Sequence, residues 1–321
     1  MVLAREWAER APGPRSQSSL VGALNRSGRS AEAVEAARRL VAFAPGSSSR
    51  YTLAKNLILA DRFEEAEGLL EPFVGETASP RDRRDALMLH ASAIAHQGRR
   101  REAIDILGAW ERIPGAVEQW TGWWVPFNRW ILQIDERKPE PALREAEAIR
   151  KKSGRGTHAL YLGLPLLGDD RGAAEAATSV RPWDRDLHEA IATCRRGDLD
   201  GAVAKLQAIV PKATLGQALA LRWLAYAAFD ARQDAVAMSA TETYERLPEI
   251  YDMWRPWGLG RLLYKKALAQ ERQGDRAGAT ATVERMLAMW KRADPDLPLL
   301  AETRALCRKL GCKAPVTSRS P

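Results

Sequence analysis

A glycine or aspartate followed five residues later by an alanine recurs along this chain, and nothing else in the sequence constrains the fold as strongly. The pattern appears as Gly28/Ala33, Asp61/Ala66, Gly98/Ala103, Gly168/Ala173, Gly197/Ala202, Asp230/Ala235 and Gly274/Ala279. The first steps are 33 and 37 residues; a gap of 70 follows, with Arg137/Ala142 at its middle, then steps of 29, 33 and 44. A loose period of about 34 residues marks stacked supersecondary units, each too small to bury its own apolar face.

The residue types explain what each unit is. Glycine closes a helix at low cost because it can enter the left-handed region that ends the last turn. An Asp just beyond can cap the next helix, as Asp169, Asp198 and Asp275 are placed to do. The alanine then falls one turn into that second helix, where two antiparallel helices approach too closely for a larger side chain. In the first full unit Leu20 and Leu24 line one helix, Ala33, Ala37 and Leu40 line the other, and Pro45 closes the pair. In the second, Leu53, Leu57, Phe63, Ala66 and Leu70 take the same places. The closing phrase Ala-Pro-Gly occurs at 11–13 and again at 44–46.

These residues resemble the tetratricopeptide repeat (TPR), with GRSAEAVEAARRLVAFAPG and GDRAGATATVERMLAMW as its clearest instances. The resemblance covers most of the chain and is strongest at 14–75, 85–112 and 255–292. It implies an all-α protein: a right-handed α-solenoid of TPR-like helical hairpins with a C-terminal capping helix. The expected organisation is one solenoid over 1–312, with a partial repeat at 1–13, about eight hairpins over 14–295, a capping helix over 296–312 and a disordered tail at 313–321. Beginning with a lone second helix implies a fragment of a repeat array or a piece of a longer protein. The capping helix should have Asp296 as its cap, Pro298 in its first turn and Gly311 at its stop. The segment MLAMWKRADPDLPLLAETRALCRKLG is similar to the end of the TPR tails of some bacterial serine/threonine kinases and transcriptional regulators.

The chemistry-bearing residues point away from catalysis. The kinase signatures, a phosphate-binding GxxxxGK[ST] loop, HExxH and GxSxG are all absent from the sequence. His90 and His96 lie six apart and so on different helix faces, reading as polar-face or half-buried residues, not a metal pair. Cys194, Cys307 and Cys312 are odd in number and lack CxxC spacing, which excludes a disulfide framework or zinc site and fits a reducing, cytoplasmic setting. Cys307 reads as a small buried residue and Cys312 as an exposed tail thiol. No cofactor, metal or membrane contact is expected, since no apolar run approaches the roughly 20 residues of a spanning helix. The net charge of +8 comes from scattered basic pairs and one triplet, Arg99-Arg100-Arg101, interleaved with acids. That pattern reads as solvated helix faces more than as a nucleic-acid surface.

The reading that remains is a non-catalytic protein-binding scaffold or adaptor, holding a peptide or partner protein on the concave face of the superhelix. The kinase-tail resemblance implies an alternative, a sensing or regulatory tail of a larger signalling protein. The candidate binding residues come from the 11 tryptophans, four of which crowd into WTGWWVPFNRW. Indoles at binding surfaces combine a large apolar face with one donor. Trp120, Trp123, Trp124 and Trp130 are expected to line the groove, with Arg129 beside them for an acidic group of the partner. Pro126-Phe127, Pro182-Trp183 and Pro256-Trp257 are each placed to open the first helix of a hairpin.

Overall fold

The computed structural model describes residues 2–75, 78–113, 129, 132, 144, 182–212, 217–247 and 254–312. Among them are fourteen α-helices and no strand. The chain forms two compact units. The first comprises Met1–Val117 with Arg246–Arg255, and the second comprises Glu118–Glu245 with Pro256–Pro321.

The first unit holds α1 (Val2–Arg10), α2 (Pro14–Arg26), α3 (Ser30–Phe43), α4 (Ser47–Leu59), α5 (Phe63–Val74), α6 (Pro80–His96) and α7 (Arg100–Glu111). Each helix packs on the next, and α4 also touches α6. The turns within hairpins are where the repeat predicts them. Gly28, Asp61 and Gly98 have φ of 70°, 58° and 71°, the left-handed region. The residue after each returns its N–H to a carbonyl five residues back: Arg29 to Leu24, Arg62 to Leu57 and Arg99 to Ile94. Ala33, Ala66 and Ala103 are fully buried at the crossings. The repeated Ala-Pro-Gly is a working joint, since three residues beyond each glycine stands a serine. Ser16 donates to the carbonyls of Ala11 (2.7 Å) and Gly13 (3.1 Å), and Ser49 donates to those of Ala44 and Gly46. Ion pairs then tie the second helix of one hairpin to that of the next: Arg5–Glu32 at 2.9 Å, Arg38–Glu65 at 3.0 Å and Glu67–Arg99 at 2.8 Å.

The second unit holds α8 (Pro182–Arg195), α9 (Leu199–Ile209), α10 (Gln217–Asp230), α11 (Asp234–Glu245), most of α12 (Trp254–Arg272), α13 (Arg276–Met289) and α14 (Pro298–Leu310). Gly197 and Gly274 are left-handed at φ 88° and 81°, with Ala202 and Ala279 buried beyond them. Between these turns the expected register is wrong. The left-handed residue is Arg232 (φ 62°), not Asp230, and the buried crossing alanine is Ala237, while Ala235 is exposed. Gln233 donates to the Ala228 carbonyl at 2.8 Å, so the turn closes two residues later than a Gly/Asp pattern indicates. Glycines on α12 permit close packing. A β-carbon at Gly258 would lie 2.8 Å from Arg222 Cδ and 3.1 Å from the Tyr244 hydroxyl, and one at Gly260 would strike the Trp290 ring.

Helix starts and stops largely follow the sequence. Pro182 opens α8, whereas α12 begins two residues before Pro256. Asp198 and Asp275 accept hydrogen bonds from the backbone N–H groups of Gly201 (3.0 Å) and Gly278 (2.8 Å). Asp296 does not cap α14: Leu297 holds the cap position, extended at φ −61°, ψ 113°, and Pro298 follows it. A proline at the first helical position already removes one orphan donor, so less is left for a cap to satisfy. Gly311 ends α14 in the left-handed region as expected. Gly168/Ala173, Arg137/Ala142, Asp169 and Pro126-Phe127 lie outside the described residues.

Candidate protein-binding groove

Exposure varies among the helices: α4, α6 and α10 are covered along much of their length, while α2 and α8 keep several exposed residues. The second helices α3, α5, α7 and α9 bury alanines and leucines on one face and expose charged residues on the other, whereas α11 and α13 expose mainly alanine and serine. The first helices differ. On α6 every residue from Ala91 to His96 is buried, and on α10 every residue from Ala220 to Ala228. Helix α4 shows no exposed residue from Ser49 onward. A helix, a left-handed turn and a second helix with a buried alanine five positions beyond the turn make up one recurring unit. The hairpins have the all-α, helix–turn–helix form that the sequence pattern implies.

The comparisons are sparse. No family model matches the chain, and no curated protein matches it. Solved structures similar to it include a tetratricopeptide repeat protein from Parabacteroides merdae, at 13% identity and TM-score 0.37, covering 93% of this chain and 98% of that one. The P58(IPK) TPR domain is 16% identical with TM-score 0.31, covering 95% and 92%. The Cut9–Hcn1 assembly of the APC/C is 14% identical with TM-score 0.40, covering 92% of this chain and 56% of that one. Overlaps this low leave the weight on the chain's own geometry.

Of the predicted binding residues, Trp120, Trp123, Trp124 and Trp130 lie outside the described residues. Arg129 is helical, half-buried and already engaged by a neighbour. The structure instead presents a cavity of about 530 Å³ within the first unit, between α1, α2 and α3. Ala8, Leu20 and Leu24 form its apolar floor, and Pro12 and Phe43 stand at its edge. Phe43 is 48% exposed, unusual for a phenylalanine in a folded protein. Val2, Leu3 and Trp7 add further exposed apolar surface on α1. The polar wall carries Arg5, Glu9, Glu32, Glu35 and Arg39. Arg5 is tied to Glu32 across the cavity, and Arg39 donates to Gln17 at 3.3 Å. Three carboxylates facing two guanidiniums give the wall a slight acidic excess. An apolar floor with a few convergent polar groups is the usual makeup of a binding cleft.

Sequence reasoning missed this cavity because its wall is assembled from three helices, and no local run of residues signals it. The exposed aromatic Phe43 beside the Ala-Pro-Gly joint was the available sign. Of the basic triplet, Arg99 pairs with Glu67 and, at 2.8 Å, with Glu102, Arg100 is buried and Arg101 is exposed. His96 is fully buried, not half-buried, stacked on Phe63 with Nδ1 2.8 Å from the Ser92 carbonyl. Burial drives its pKa down from 6.5 to about 3, so it is neutral. Burial also lowers the pKa of the half-buried His90. Among the described residues no group of three His, Cys, Asp or Glu side chains could hold a metal, and no helix is long and apolar enough to cross a membrane.

Proposed function

We propose that this chain is a protein-binding scaffold, holding a peptide or partner segment on its helical-hairpin array. The observation that carries this reading is the α1–α3 cavity, with its buried leucine floor, half-exposed Phe43 and charged wall. It suits a segment that inserts an apolar side chain and sets a basic group against Glu9 and Glu35. Glu35 already contacts Arg38 at 3.3 Å, so an incoming cation would compete for a carboxylate that is presented outward. The indole-rich segment with Trp120, Trp123, Trp124 and Trp130 supplies a second contact in this proposal, on the concave face, with Arg129 for an acidic group.

Site-specific photo-crosslinking in the source cells tests the proposal. A photoreactive phenylalanine analogue at position 43, and another at 124, should each yield a discrete protein adduct. One at the exposed Arg304 should not. Equal adducts at all three positions, or none at 43 and 124, would overturn it.

A further inference from the structure

The helix that ends the described chain closes on a pair of cysteines. Cys307 is buried on α14, Gly311 turns left-handed at φ 76°, and Cys312 donates its N–H to the Cys307 carbonyl at 3.0 Å. This is the same turn that closes the hairpins at Gly28, Asp61, Gly98, Arg232 and Gly274. In it the chain doubles back, so the side chain three residues before the helix end meets the one just past the left-handed residue. The turn at Gly274 shows the consequence directly: Gln270 and Asp275, at the two equivalent positions, are in side-chain contact at 3.5 Å. At the last turn those two positions are both cysteine, and the Cys307 thiol stands near enough to Cys312 to push its thiol upward. Cys312 is half-buried, not the exposed tail thiol that its place in the sequence implies. On a straight helix residues five apart point to different sides, which hides the pair from any reading by spacing.

We propose that Cys307 and Cys312 are an oxidation site, closing to an intramolecular disulfide when the protein meets hydrogen peroxide. The Cys312 thiolate, the more accessible of the two, attacks one peroxide oxygen. The O–O bond breaks, leaving Cys312 as a sulfenic acid and releasing one water after protonation. Cys307 sulfur then attacks the sulfenic sulfur, the S–S bond forms, and hydroxide leaves with the Cys307 proton as a second water. Two electrons pass from the paired sulfurs to the peroxide, and a dithiol reverses the step by exchange. The folded-back turn at Gly311 brings the two side chains to the same end of α14, so closure needs no movement of the helix.

The site is slow to oxidise and hard to reduce. Burial first, then the neighbouring Cys307 thiol, push the Cys312 thiol up to about 12, so little thiolate forms near neutrality. The same lack of a stabilised thiolate leaves the reduced pair without the advantage that makes a disulfide oxidising. Arg276 already grips this end, its Nη2 donating to the Leu310 carbonyl at 2.9 Å and that of Lys309 at 3.3 Å. The disulfide adds a covalent lock to a cap held by hydrogen bonds.

Non-reducing tryptic mapping of the full chain tests the proposal, in a Cys194→Ser background that removes the third thiol. Trypsin releases Cys307 in Ala305–Arg308 and Cys312 in Leu310–Lys313. After hydrogen peroxide these two peptides should appear joined, and dithiothreitol should separate them. The yield should rise at least several-fold from pH 7 to pH 9. Cys307→Ser should leave Cys312 as a sulfenic acid that dimedone traps, while Cys312→Ser should leave Cys307 unoxidised. Over-oxidation of Cys312 with no joined peptide, or both thiols still alkylated, would overturn the proposal. The joined peptide of the background protein decides the matter even if a serine variant fails to fold.

Discussion

In the first unit the residue after each left-handed turn is an arginine, and it reaches forward to a glutamate three residues on: Arg29 to Glu32, Arg62 to Glu65, Arg99 to Glu102. In the second unit Asp198 and Asp275 stand at that position, and each accepts a hydrogen bond from a backbone N–H three residues on. The backbone barely differs. The arginines have φ between −84° and −98° with ψ of 61° to 66°, and the aspartates φ of −80° and −76° with ψ of 75° and 70°. One turn therefore accepts two opposite side-chain solutions. The aspartate satisfies an orphan donor of the helix itself. The arginine leaves those donors alone and fastens two side chains on the surface, where solvent and salt weaken the bond. Each solution brings a companion residue. The third residue after each aspartate is glycine, where a β-carbon would make the carboxylate shift, whereas after each arginine it is the partner glutamate.

The largest expected effect probes the turn on which the register shifts. Ala237→Leu should destabilise the second unit by about 1–3 kcal/mol through overpacking at the α10–α11 crossing. Ala235→Leu should change it by less than about 0.5 kcal/mol, as surface substitutions do. Urea unfolding of both variants checks this, and equal effects would restore the Asp230 register.

The next effect belongs to the first unit. His96 is neutral when folded and takes up a proton at its ordinary value of 6.5 when unfolded. The unfolded chain therefore binds more protons below that pH, and stability falls on acidification. Each pH unit between 6.5 and about 3 costs up to about 1.4 kcal/mol at this site. Urea midpoints at pH 7.5 and 5.5 should show the loss in the parent protein and a smaller one in His96→Leu. A parallel slope in both would contradict the assignment.

The two cap chemistries give the smaller effects. Asp198→Ala should cost about 1 kcal/mol, nearly independent of salt. Arg62→Ala should cost less than about 0.5 kcal/mol, and that little should vanish at 1 M salt. Arg99 stands apart from Arg62, since its bond to Glu67 is largely shielded from solvent, and its loss should persist in salt. Thermal melts at two ionic strengths separate the three cases.

Much of this architecture is legible in the sequence, because the turn is a local structure with a local signature. Gly28, Asp61, Gly98, Gly197 and Gly274 all turn left-handed, each with its buried alanine five residues on. Arg232 escapes because its type gives no sign of the turn. A side chain with a β-carbon pays about 1–2 kcal/mol to sit there, and only the surrounding packing of α10 and α11 compels it. The burial of α6 was half legible, since ALMLHASAIAH is apolar nearly all round. The cavity at α1–α3 and the thiol pair at α14 were not, because both depend on residues that meet only after the chain folds back.

Native-state hydrogen exchange, read by mass spectrometry across a urea series, tests the central claim of stacked hairpins most directly. Packing in the described chain runs between consecutive helices, with α4–α6, α8–α10 and the ion pairs between successive second helices as the near-neighbour additions. Stability should accordingly be a sum of hairpin and interface contributions. Opening free energies should fall into graded groups that change at the turns near 28, 61, 98, 197, 232 and 274. A single opening free energy shared by every helix, reached in one cooperative step, would contradict it.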